Sequence, residues 1–370
     1  VDDLAVGAHL DEANAGAVYI VFMAADGSAK GPVTKISPGS GAPWSSGDNA
    51  GYSLAGLGNL VGDGGTAIAV GSFNSNGGRG AVHIMYLKST DSSLDLSRPV
   101  LTIGDGTAGL TLGASDHFGI GVAFRRMTDG RLLLAIGARY DDDGGSDRGA
   151  VYILTLSLNP TDGSLSVASW VKISSESGGL PPSTLTDGDL MGEGLAFVSD
   201  SVLAVGAYGD DSSTGKLLLL SLDDDLTVAS VSSFIPSGIG GLTDFGRCVA
   251  NVGDLDGDGA VDLVVGAPYH DEGGTDEGSV WLVFLTPDGK EVAGSRKINR
   301  AAEGLDTTST DFGYGVAGWR SPESGKMDVY VSGRGFVQRL ELSDLVPVAQ
   351  ALSGGEVSSS TTTTTSTSTS

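Results

Sequence analysis

The sequence predicts an all-β fold, a β-propeller of four-stranded blades, and three observations carry that reading. An apolar run closed by glycine recurs six times, at Leu4–Gly7, Ile68–Gly71, Leu134–Gly137, Leu203–Gly206, Leu263–Gly266 and Val329–Gly333. The intervals between those glycines are 64, 66, 69, 60 and 67 residues, the period of an array in which no unit buries its own face alone. Glycine supplies 59 of the 370 residues, more than twice the usual share of about 7%, and runs of strong helix formers are absent.

Each unit resolves into four strand signals. The first is a small-residue segment preceded by an acid, as in Asp116-His-Phe-Gly-Ile-Gly-Val-Ala, Asp244-Phe-Gly-Arg-Cys-Val-Ala and Asp311-Phe-Gly-Tyr-Gly-Val-Ala, with weaker forms at Asp48 and Asp189. Small side chains suit the crowded strand nearest a ring axis. The second strand is the apolar run named above. A turn rich in Asp, Gly and Ser follows, such as 141–147 or 271–276, and leads to a third strand such as Gly149-Ala-Val-Tyr-Ile-Leu154. A less regular fourth strand ends near Lys35-Ile36, Thr102-Ile103, Lys172-Ile173, Phe234-Ile235 and Lys297-Ile298, spaced to form each blade's outer edge. Phe118, Phe245 and Phe312 open three first strands and are expected to be equivalent core residues packed between neighbouring blades.

One loop states its chemistry more plainly than the rest. In Asp254-Leu-Asp256-Gly-Asp258-Gly259-Ala260-Val-Asp262, aspartates stand at relative positions one, three, five and nine. Hard oxygen ligands at alternate places on a tight loop suit a calcium ion, which takes six to eight oxygens. Gly259 permits the turn at position six, and the Ala260 carbonyl joins the set at position seven. The expected ligands are therefore Asp254, Asp256, Asp258, Ala260 and Asp262. An EF-hand needs a bidentate Glu at position twelve, but Val265 stands there in a β-branched run. The loop reads instead as strand, calcium loop, strand.

These residues resemble the FG-GAP repeats of integrin α-subunit β-propellers: Phe-Gly at the start of a unit, the Asp-x-Asp-x-Asp-Gly-x-x-Asp loop, and Gly266-Ala267-Pro268 after it. The resemblance covers about residues 1 to 350 and is most specific from Phe245 to Ile298. It implies a calcium-stabilised extracellular or cell-surface module, and it implies seven blades, whereas six units are visible. The reading preferred from the residues is a six-unit ring, closed where Val346–Leu352 ends the sixth unit or crosses to the first blade. The alternative is a seventh blade encoded upstream, since the sequence opens at Val1 in the middle of a motif and reads as processed or truncated there. Carried onto the other units, the ligand places hold Asn59, Val61, Asp63 and Ala67 in the second and Arg125, Met127, Asp129 and Leu133 in the third. The sixth offers only Asp328, the first only Asp3, and the fourth is too short. One calcium site is expected.

Residues 1–356 are assigned to the propeller and 357–370 to a Ser/Thr-rich extension that has no apolar side chain to bury. The extension reads as an O-glycosylated stalk at Thr361, Thr362, Thr363, Thr364, Thr365, Ser366, Thr367, Ser368, Thr369 and Ser370, with a plain flexible linker as the simpler alternative.

Composition narrows the function. The net charge of −25 repels phosphate backbones and anionic lipid heads, so nucleic acid is not an expected partner. No apolar run reaches the roughly 18 residues of a membrane helix. Cys248 is the only cysteine, which excludes an internal disulfide and leaves a small core residue. His9, His83, His117 and His270 fall at unrelated repeat positions, and no transition-metal, nucleophile or phosphate-loop motif is present. The many turn acids read as solvated residues rather than a glycosidase pair.

The expected role is a non-enzymatic adhesion or assembly module, a protomer of a glycosylated surface filament. Its partners would be other extracellular proteins or copies of itself, with glycans as a further class. Two other readings stand beside it. One is a lectin-like propeller, which the irregular places of Trp44, Trp170, Trp281 and Trp319 do not favour. The other is the non-catalytic propeller of a larger hydrolase.

Overall fold

The computed structural model describes residues 3–271, 275–299, 310–320 and 327–342. Its strands form six antiparallel sheets in chain order, four of them four-stranded. The first and last are three-stranded among the described residues. The fifth blade shows the pattern: inner strand Val249–Gly253, second strand Asp262–Ala267, third Ser279–Leu285 and outer Val292–Asn299. Each pairs only with its chain neighbours, Val265 lying opposite both Val249 and Trp281. The first unit supplies second, third and outer strands, at Leu4–Ala8, Ala17–Val21 and Thr34–Ile36. The propeller expected from the repeats is the fold observed.

The two-residue period of the strands explains the stacking. In the second blade, Ala67 and Ala69 face one apolar cluster while Ile68 and Val70 face another. In the fourth, Leu203 and Val205 face the cluster shared with the third blade, and Val202 and Ala204 the cluster shared with the fifth. Both faces of each sheet are thus apolar, and the core lies between blades rather than within one. Phe118, Phe245 and Phe312 are each fully buried in these inter-blade layers, as expected, at 0% exposure. Phe245 meets the edge of Trp281 with ring centroids 6.2 Å apart.

Two glycines of the repeat make this contact possible. The residue before each Phe-Gly pair and the glycine itself take left-handed backbone, as Asp244 (φ 53°) and Gly246 (φ 93°) do. The turn lays the opening of one blade against the third-strand glycine of the blade before it, giving parallel bridges such as Gly80 to Phe118 and Gly278 to Phe312.

The ring closes by direct contact between its ends. Tyr330 in the sixth blade donates its hydroxyl to the Gly27 carbonyl at 2.9 Å, and Arg339 Nη1 donates to the Asp26 carbonyl at 2.7 Å. Met23, Trp319 and Tyr330 form a small apolar cluster across the same seam. Contact between sixth and first blades accords with the six-unit reading. The Val346–Leu352 segment and the extension 357–370, with every O-glycosylation candidate, lie outside the described residues.

Turn acids such as Asp129, Asp162, Asp225 and Asp288 are exposed, as expected, but the expectation needs correction at two others. Asp141 is 3% exposed and Asp189 1% exposed. Lys172, from an outer strand, sets its ammonium 2.9 Å from Asp141 and 2.7 Å from Asp143. Lys216, from a third strand, reaches Asp189 at 2.9 Å and Asp210 at 2.7 Å. Lys35 does the same with Asp11 and Glu12 at the first blade. The apolar lysine stem lies along the sheet while its charge reaches the turn, so these turns bind their own chain rather than water alone.

Candidate metal centre

The loop of 254–262 joins the inner and second strands of the fifth blade, and its aspartates first serve to fold it. Asp254 accepts backbone N–H bonds from Gly257 at 2.6 Å and Gly259 at 3.0 Å. Asp256 accepts one from Asp258 at 3.2 Å, and Asp258 one from Ala260 at 2.7 Å. Asp262 ties the loop to the blade, accepting from Leu255 at 2.8 Å and from Leu285, in the third strand, at 3.1 Å. Short side chains that capture nearby amides are the reason Asp suits such a coil.

The coil turns three carboxylates inward. Asp254, Asp256 and Asp262 each offer an oxygen within 4.8 Å of the others. Asp262 is fully buried, and Ala260 is buried at the seventh place. Asp258 is exposed and stands outside the group of three, its side chain spent on the Ala260 amide. Burial pushes the Asp262 carboxyl up to about 6, the loop's two amide bonds oppose that, and the charges of Asp256 and Asp258 add to it. Asp256 is raised by burial and then by Asp258 and Asp254. Carboxylates that disfavour one another's ionisation at this range fit a cation between them, and an all-oxygen set fits a hard divalent ion. Among the described residues this is the one group of three metal-ligating side chains.

At the corresponding places of the second, third and sixth blades the chain's own cations stand. In the second blade, Asn59 accepts from the Gly62 amide at 2.7 Å as Asp254 does from Gly257, but Asp63 is ion-paired with Arg98. In the third, the first ligand place is Arg125, which bonds Asp200 of the fourth blade at 2.6 Å. In the sixth, the ninth-place Asp328 takes the Arg339 guanidinium at 2.9 and 2.8 Å. Asp3 in the first blade keeps the architectural task of Asp262, accepting at 3.0 Å the amide of Met23, just beyond the third strand. Arg125 is legible in the sequence as a reversed charge at a ligand place. Arg98 and Arg339 come from other parts of their blades, and no local spacing points to them.

Models of known families match two of these units. Both matches are described as FG-GAP repeat, over residues 245–283 and 112–154. No curated protein sequence matches the chain. Among solved structures, a candidate 6-phosphogluconolactonase of Bacteroides uniformis overlaps with a TM-score of 0.48 at 12% identity, covering 92% of this chain and 79% of that one. A levansucrase variant of B. megaterium overlaps at 0.42 and 13% identity, covering 78% and 82%. The Dos1 propeller overlaps at 0.39 and 10% identity, covering 88% and 62%. Overlaps of this size say nothing of the chemistry of the present chain. The two matched repeats and the six-bladed ring in which they lie support an FG-GAP β-propeller family for this chain.

Proposed function

We propose that the chain is a calcium-stabilised extracellular propeller that serves as an adhesion or structural assembly module. The observation that carries the metal is the convergence of Asp254, Asp256 and Asp262 within 4.8 Å, with Asp262 buried and raised in pKa by burial and by its neighbours' charges. Calcium supplies the countercharge and accepts the irregular oxygen set that a coil of this kind offers. Bound to the folded state alone, it stabilises the fifth blade and, through inter-blade packing, the ring. The FG-GAP fold fits an adhesion or structural role in general, and an external setting supplies calcium at the levels such sites need. Among the described residues no helix is long and apolar enough to cross a membrane.

The finer reading is a protomer of a surface filament. In it the run Thr361 to Ser370 carries O-glycans and links neighbouring propellers. Imaging the native particle in calcium and in chelator tests the whole proposal. Polymers or surface-bound particles that disperse on chelation are the expected result. A protein that stays a lone monomer, binds no cell surface and melts identically in both conditions would overturn it.

A further inference from the structure

One buried carboxylate gathers side chains from all six blades, three of them in direct contact and the others through those. Glu193, in the fourth blade's inner strand Met191–Phe197, has a side chain only 3% exposed. It accepts the hydroxyl of Tyr52 from the second blade, Arg139 Nη1 from the third at 2.5 Å and Arg247 Nε from the fifth at 3.1 Å. Tyr314 of the sixth blade bonds Tyr52 at 3.2 Å and Arg247 at 3.3 Å. His9 of the first blade packs edge-on against Tyr52 with centroids 5.0 Å apart.

The two guanidinium groups are themselves largely enclosed. Arg139 and Arg247 side chains are each 12% exposed. Arg247 also bonds Asp244 at 2.6 Å, so two cations face two acids. Its guanidinium lies 5.1, 5.6 and 4.7 Å from the ring centroids of Tyr208, Tyr269 and Tyr314, within the range of cation–π attraction. Burial works to raise the Glu193 carboxyl, but Arg247 and Arg139 outweigh it and hold it below the usual range. Four of these side chains follow a blade-opening glycine: Tyr52, Glu193, Arg247 and Tyr314 come after Gly51, Gly192, Gly246 and Gly313. That single register aims them all at the axis.

We propose that Glu193 and Arg247 form an axial keystone that couples the six blades, so that the seam between first and sixth blades stays closed only while the axial network is intact. Among the described residues the seam is joined by the Met23, Trp319 and Tyr330 cluster and by bonds at Gly27 with Tyr330 and Asp26 with Arg339, and no strand crosses it. The keystone supplies a second attachment, because blades one and six both lean on Tyr52, which Glu193 holds.

Hydrogen exchange of the whole chain tests this, read at the backbone amides of Met23, Trp319 and Tyr330, whose residues form the apolar cluster of the seam and touch neither Glu193 nor Arg247. In Tyr52→Phe and Glu193→Gln these amides should exchange roughly tenfold faster or more through sub-global opening. Arg247→Ala should do the same, and millimolar methylguanidinium should restore its protection by refilling the tyrosine cage. Acceleration confined to Met191–Phe197 and its paired strand would overturn the proposal. Tyr52→Phe removes one hydroxyl and keeps the ring, so unchanged seam exchange in that folded variant would overturn it even were the charge variants unable to fold.

Discussion

Gly206, in the second strand of the fourth blade, lies so close to Gly246 of the fifth that a Cβ on Gly206 would sit 1.7 Å from the Gly246 carbonyl oxygen. The same contact recurs at Gly7 with Gly51, Gly71 with Gly119, Gly137 with Gly192 and Gly266 with Gly313. The glycine that closes one unit's apolar run and the glycine of the next unit's opening are therefore two halves of one inter-blade contact. Gly206→Ala must push backbone away from backbone. It should cost about 4 kcal/mol or more, in the range reserved for severe core disruption. Gly56→Ala, in an inner strand with nothing within 4 Å of the new methyl, should stay within about 0.5 kcal/mol. Equal melting of the two variants would show that the glycine contact does not set blade spacing.

Phe245 fills the layer between the fourth and fifth blades at 0% exposure. Phe245→Ala should lose about 3 to 5 kcal/mol, measured by denaturant unfolding. A loss under 1 kcal/mol would mean that the layer collapses around the cavity.

Metal removal should separate the aspartates by role. Asp256→Ala should lower the melting temperature in calcium and change little in chelator. The difference for the wild type is about 2.7 kcal/mol at a hundredfold excess of calcium over Kd. Asp258→Ala, whose side chain lies outside the group of three, should retain more of the calcium response than Asp256→Ala. Titration calorimetry that ranked the two variants the other way would move the centre toward Asp258.

Arg339 occupies at the sixth blade the role that a metal would take at the fifth. Its partner Asp328 has a side chain 3% exposed, while Arg339 itself is 27% exposed. Arg339→Met takes the cation away from a buried carboxylate and should cost about 3 kcal/mol. Adding Asp328→Asn should recover much of that loss, because the neutral amide no longer needs a cation. A double variant no better than the single would assign the loss to the Asp26 contact at the seam instead.

His83 should make stability fall on mild acidification. Burial lowers its pKa to about 4; Nδ1 is 3.0 Å from the Thr102 hydroxyl, and the ring lies 5.9 Å from that of Trp44. A base with a depressed folded-state pKa binds fewer protons folded than unfolded. Its stabilising contribution is therefore complete above the unfolded value of about 6.5 and is lost as pH falls toward 4, by on the order of 3 kcal/mol in all. His83→Phe should flatten the stability curve across that window. A curve of unchanged slope would place the acid sensitivity elsewhere, with His117, whose pKa burial also lowers to about 4, as the next residue to replace.

The sequence by itself determined the repeat, the strand order within a blade and the location of the acidic loop. Those properties live in local periodicity: the two-residue alternation of Leu203, Ala204 and Val205, the turn chemistry of Asp244 to Gly246, and the alternate acids of 254–262. Local spacing does not show which acids the fold encloses. Asp258 reads as the equal of Asp256, while in the folded coil Asp254, Asp256 and Asp262 bring oxygens within 4.8 Å of one another and Asp258 is exposed. Asp141 and Asp189 read as solvated turn residues, yet lysines from distant strands bury them.

Only the tertiary structure decided how charges separated by 11 to 54 residues are paired: Glu193 with Arg139 and Arg247, Asp63 with Arg98, Asp328 with Arg339. A buried charge is tolerable only where its partner arrives. In a ring the partner arrives from another blade or another strand, a neighbour that sequence distance does not reveal.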